Sequence, residues 1–130
     1  MKEKVIYLLL IIMILTSCAG NRKYDDLMQR ADSIMNVNDD SAKVAIRMLD
    51  GVKSQLPEFS QSQKMRYELL RHKAMNKACI TFTSDSVMKE VVDYYDHHGS
   101  ANERMLANYV LGCVYRDLHE APMALEYYNK

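Results

Sequence analysis

The stretch Arg104–Lys130, RMLANYVLGCVYRDLHEAPMALEYYNK, decides how the rest of the chain is read. Two amphipathic helical patterns meet here across a short polar turn at Leu118–Glu120. The first sets Leu111, Gly112 and Tyr115 along one face. The second sets Ala121, Ala124, Leu125 and Tyr128 at i, i+3, i+4 and i+7, the spacing of a buried helical stripe. Pro122 falls in the first turn of the second helix, where its missing N–H breaks no bond. Gly112 offers no side chain at the crossing, so the two helices can approach closely.

Working outward, Ser100–Glu103 has the form of a capping box and opens the first of these helices. Ser60–Gln63 has the same form and opens an earlier one, expected to run to about Ile80. Tyr67, Leu70, Ala74 and Ala78 line one side of that helix; Met65, Leu69, Met75 and Cys79 line another. A helix apolar on two sides has to be covered twice. The turn Thr81–Ser84 leads to a helix with Val87, Met88, Val91, Val92 and Tyr95 inward, stopped by Gly99. Its run Asp93-Tyr94-Tyr95-Asp96 is echoed by Glu126-Tyr127-Tyr128-Asn129, 33 residues later.

Nearer the start, Tyr24–Met35 carries a helical stripe, and Asn36–Asp40 is turn chemistry. Ser41 or Asp40 is placed to cap a helix with Ala42, Ala45, Leu49, Val52 and Leu56 in steps of three and four, ended by Pro57. The expected fold is therefore all-α: tandem antiparallel hairpins at about 24–56, 60–98 and 100–130, with an extended first helix in the second. Two prolines and four glycines in 130 residues suit such a chain and suit a sheet poorly.

The third hairpin resembles a tetratricopeptide (TPR) repeat. The family's Leu-Gly pair matches Leu111–Gly112, its first-helix aromatic Tyr115, its second-helix alanine Ala124 and its late aromatic Tyr128, at intervals that agree with a repeat of about 34 residues. Asn108 stands where the family has tryptophan, and His119 where it has the turn glycine. The resemblance implies a short TPR-like α-solenoid that binds a protein or peptide. In that family the first helix of each hairpin lines a concave groove, and the carried-over groove positions are Tyr109, Cys113 and Arg116. On the helix after Ser60, Arg66, Lys73 and Lys77 fall at i, i+7 and i+11. Together Arg66, Lys73, Lys77, Tyr109 and Arg116 make a basic, tyrosine-bearing groove suited to carboxylates of a partner. A merely solvated face is the alternative. Arrays of this kind finish with a polar-faced helix; none is written before Lys130, so a longer parent protein is expected.

At the amino end, Lys2 and Lys4 precede an unbroken apolar run from Val5 to Leu15, 11 residues long. That is short of the roughly 20 needed to span a bilayer and reads as a signal-peptide core. It ends in Leu15-Thr16-Ser17-Cys18, which resembles a bacterial lipobox. The resemblance implies cleavage after residue 17, a lipidated Cys18, a tether over residues 18–23 and a helical domain over 24–130. It places the protein at a bacterial envelope, membrane-held by its lipid and facing the periplasm or the cell surface. An ordinary secretory signal is the alternative.

Charge is balanced, with 17 basic and 17 acidic residues, so the overall field gives no reason to seek nucleic acid. His97-His98 near Asp93 and Asp96 is the nearest approach to a metal cluster. Adjacent helical residues diverge by about 100°, and a solvated helix end explains the pair. Cys79 and Cys113 lack metal-ligand spacing; an exported chain could join them, but their place in helical stripes favours two small buried thiols. No nucleophile–base order or phosphate loop is present. The expectation is a non-enzymatic binding scaffold with no metal, no cofactor and no small-molecule substrate. A second reading is the extracytoplasmic input region of a larger TPR-containing signalling or regulatory protein.

Overall fold

The computed structural model describes the chain from Met1 to Lys130, apart from the side chains of residues 10–21 and 39. Cys18, the expected lipidation site, lies outside the described residues. Every regular element described is helical: α1 (Lys2–Met35), α2 (Asp39–Asp50), a 3-10 helix (Lys53–Glu58), α3 (Gln61–Lys77), α4 (Ser86–His98), α5 (Ala101–Asp117) and α6 (Ala121–Tyr128). Each α-helix packs on its neighbours in the chain, and α3 also touches α1 on one flank and α5 on the other. Among the described residues of α1, Tyr24 packs on the domain: its ring lies 4.5 Å from that of Phe59 and its hydroxyl donates to Glu58 Oε2 at 3.0 Å.

Helix α3 is the centre of the molecule because two of its sides are apolar. Tyr67, Leu70 and Ala74 enter a core with Met28, Ala31 and Met35 of α1 and Ala42, Ala45 and Leu49 of α2. Leu69, with Met65 and Met75 beside it, enters a second core built from α4, α5 and Ala124 of α6. The double covering expected from the sequence is therefore present. Cys79 is the exception on that side: it is exposed, not buried, because the helix has already ended.

That ending is one of two matched turns. Cys79 has φ 57° and His119 φ 62°. Around Cys79, Ile80 N donates to Met75 O at 3.0 Å and Cys79 N to Asn76 O at 3.1 Å; around His119, Glu120 N donates to Tyr115 O at 2.9 Å and His119 N to Arg116 O at 3.1 Å. Both are Schellman closures, in which a left-handed residue turns the chain back onto the last carbonyls. Capping boxes open both helices, at Ser60 with Gln63 and at Ser100 with Glu103. Helices α3 and α5 are thus equal in length, 17 residues each, with caps and stops 40 residues apart.

Several boundaries differ from expectation. Helix α3 stops at Lys77, three residues short of Ile80, and it is no longer than α5. The extra length of the second hairpin lies instead in α4, 13 residues against 8 in α6, and in the linker before it. Phe82 in that linker is buried, because its N–H donates to Asp117 Oδ2 at 3.1 Å and its ring stacks on His72. Helix α2 is capped by Asn38, whose side chain accepts from Ser41 N at 2.9 Å, two residues ahead of Asp40 and three ahead of Ser41, the expected caps. It ends at Asp50, and the chain tightens into the 3-10 turn holding Pro57, while Val52 and Phe59 plug the core. Val87 of α4 is exposed. On α6 only Ala124 is buried; Ala121, Leu125 and Tyr128 are exposed, because no described residue covers their outer side. The Tyr-Tyr echo is likewise unequal, with Tyr95 5% exposed and Tyr128 40%.

Candidate functional site

The candidate groove residues all belong to α3 and α5, so their placement depends on how those helices lie beside α1. Two polar ties fix this. Lys73 Nζ reaches Asp32 Oδ1 on α1 at 2.7 Å. Arg116 Nη2 donates to Asn76 Oδ1 on α3 at 3.2 Å, and the Tyr109 phenol lies beside the same amide. The ties put Lys73, Tyr109 and Arg116 along one face shared by α1, α3 and α5. Lys77 is exposed one turn beyond Lys73. Arg66, half-buried, lies toward the other end of α3, in a cleft of about 390 Å³ bordered by Tyr94, Tyr95 and Glu103.

The face is less basic than a one-sign stripe suggests. Asp32 neutralises Lys73, and Arg116 Nη2 pairs with Asp117 at 2.7 Å. Glu103 sits close enough to Arg66 to feel its charge. Its carboxyl is held below the usual range first by hydrogen bonds from the Ser100 backbone and hydroxyl, and then by Arg66. Lys73 is therefore a structural cation. Its side chain is only 18% exposed, so reversing its charge would disturb the α1–α3 contact. Lys73, expected as an open groove cation, is thus a helix-joining residue whose charge reversal costs stability as well as binding. Asp32, Asn76 and Glu103 are the members that the sequence reading missed. Glu103 was visible as a capping residue, whereas Asp32 and Asn76 gain meaning only across helices.

Cys113 is buried under the rings of Tyr109 and Tyr128, which approach within 5.8 Å of each other. Both phenols lie near enough to its sulfur for their titration to feel it. The charge the sulfur can carry is the leading cause that raises Tyr109, while burial leads in pushing Tyr128 up to about 12. Cys113 therefore packs below the face and offers no reactive edge to it.

His97 and His98 donate to carbonyls of their own helix, to Asp93 O at 2.8 Å and Tyr94 O at 3.0 Å, with their rings 6.4 Å apart. Both are exposed at the carboxyl end of α4, at the negative end of the helix dipole. Among the described residues no three His, Cys, Asp or Glu side chains are grouped to hold a metal ion. Comparison of the chain with family models, with curated proteins and with solved structures gives no match in any of the three.

Proposed function

We propose that the chain is a TPR-like helical scaffold, lipid-anchored at a bacterial envelope, that binds a protein or peptide partner through the face of α1, α3 and α5. The observation that carries this reading is the side-by-side packing of those three helices, tied by Lys73–Asp32 and Asn76–Arg116. Such packing turns three separate helices into one continuous surface. The 40-residue match of caps and stops in α3 and α5 supports a repeat architecture, in which each hairpin rests on the one before. Arg66 and Lys77 supply the cations for a partner's carboxylates, and Tyr109 supplies an aromatic contact. The anchor reading rests on the Leu15–Cys18 match and on the apolar, exposed run Val5–Leu9 that precedes it. No helix among the described residues is long and apolar enough to cross a membrane.

Two substitutions test the two halves separately. Cys18→Ala is expected to abolish labelling by a fatty-acid probe and to release the protein from membranes. Retained label and retained membrane binding would reject the anchor. Arg66→Glu with Lys77→Glu is expected to weaken partner capture from native membranes, more so at low salt, and Lys77→Glu alone to weaken it at unchanged melting temperature. Capture unchanged by that double reversal would reject the groove.

A further inference from the structure

The cleft beside Arg66 holds charges of both signs that the fold leaves open. It lies where α3, α4 and α5 meet, has a volume of about 390 Å³, and includes Leu69, Leu70 and Leu106 as its apolar lining. Small-molecule sites have volumes of roughly 300–1,000 Å³, so the cleft is of that class in size. Arg66 makes no ion pair or hydrogen bond among the described residues. Two carboxylates also line the cleft, and the fold uses them differently. Asp32 Oδ1 is taken by Lys73 Nζ at 2.7 Å. Glu103 Oε2 accepts from the backbone N–H and the hydroxyl of Ser100, both at 2.8 Å. Those donors are neutral, so the Glu103 charge has no cation in contact, and its Oε1 has no hydrogen-bond partner among the described residues. Arg66 and Glu103 feel each other's charge yet form no ion pair.

Aromatic rings form the α4 side. Tyr94 and His98 stack with centroids 4.6 Å apart, and Tyr95 meets Tyr94 edge-on at 5.3 Å. Tyr95 is 5% exposed, and its hydroxyl has no hydrogen-bond partner among the described residues, although a buried phenol normally has one. That hydroxyl lies close enough to Glu103 and Arg66 to feel both charges. Burial first, and then Glu103, push Tyr95 up to about 12, so at neutral pH the phenol keeps its proton and is a donor. Arg66 and Tyr95 thus offer unused donors to a carboxylate. Glu103 would repel a plain anion there, and Arg66 a plain cation. A molecule with a carboxylate and an ammonium side by side answers both charges, while the leucines take an apolar side chain. The terminal residue of a peptide carries one of these two charges and not both.

We infer that this cleft binds a free α-amino acid with an apolar side chain, its carboxylate on Arg66 and the Tyr95 hydroxyl and its ammonium on Glu103. The site goes beyond the partner reading, since it needs neither Lys77 nor Tyr109. No sequence motif announces it, because its members come from three helices. The test is calorimetric titration of the full chain in mild detergent with L-leucine and with L-phenylalanine. At least one should bind with a Kd below about 1 mM, and the same amino acid with its amine acetylated or its carboxylate amidated should bind about tenfold more weakly. Arg66→Gln should lower affinity by about tenfold, and Tyr95→Phe by a smaller factor. Glu103→Gln keeps the helix cap, as Gln63 does at Ser60, and should erase the preference for the free amine over the acetylated one. Lys77→Glu should leave every affinity unchanged, so that failure of the partner groove and failure of this site are told apart. Binding of neither amino acid would overturn the inference. So would equal binding of the acetylated form, which would make the cleft a reader of lone carboxylates such as a chain terminus, or an affinity indifferent to Arg66→Gln.

Discussion

Cys79 and His119 hold a left-handed backbone that costs a residue with a Cβ about 1–2 kcal/mol, and both sit in closures that tie down the last carbonyls of a long helix. Glycine relieves the strain but frees the unfolded chain, so His119→Gly is expected to stabilise by a net amount of about 0.5–1 kcal/mol. A urea titration checks this, and a lowered midpoint would contradict it. His72 is a different kind of residue-scale feature. Burial is the leading cause that lowers its pKa, against a backbone bond between Nδ1 and Glu68 O at 2.8 Å, and its ring stacks on Phe82 at 5.6 Å. A histidine held neutral by the fold contributes stability above its unfolded pKa of about 6.5 that is lost as pH falls below it. His97 has the opposite sign: bonding to Asp93 O and the Asp93 charge raise it, so it favours the folded state at low pH. The expected signature is a fall in urea midpoint from pH 8 to pH 5.5 that is smaller in His72→Gln. An equal fall in both proteins would show that His72 is not its source.

At the scale of elements, α6 is the shortest α-helix, eight residues held through Met123, Ala124, Tyr127 and Tyr128. Tyr128 lies so close over Gly112 that a Cβ there would come within 2.5 Å of its ring. Gly112→Ala gains about 1 kcal/mol of helix propensity in α5 while forcing Tyr128 outward. Amide exchange should therefore quicken in α6 and not in α5; unchanged protection of α6 would mean that the ring moves aside freely. The close approach was readable in advance because the Leu111-Gly112 pair sits on an apolar face. The two-sided covering of α3 was readable for the same reason, since Tyr67, Leu70 and Ala74 are separated from Leu69 by the helical period itself. Phe82 was not readable: a lone aromatic in a Thr/Ser turn becomes core only because Asp117, 35 residues away, accepts its N–H. The end of α2 was missed because Val52 and Leu56 keep helical spacing through a stretch where the backbone tightens to 3-10. Burial of Leu125 and Tyr128 was expected from spacing alone, and spacing cannot say whether a neighbour exists.

At the scale of the whole molecule, two cores share α3 as a common wall. The α1–α3–α5 face crosses both, so a ligand spread along it would read two cores at once. That placement explains why Lys73 and Arg116, chosen from the sequence as binding residues, also hold helices together. It leaves Arg66, Lys77 and Tyr109 as the face positions open enough to carry a probe, with Val44 of α2 and Lys89 of α4 as exposed controls elsewhere. This face is proposed to meet a protein partner at the membrane. Site-specific photocrosslinking in native membranes tests it most directly, with the photoreactive residue placed at each of these five positions in turn. The account predicts one common adduct from positions 66, 77 and 109 and none from 44 or 89. Adducts from 44 and 89 with none from the face, or no adduct from any position, would contradict it.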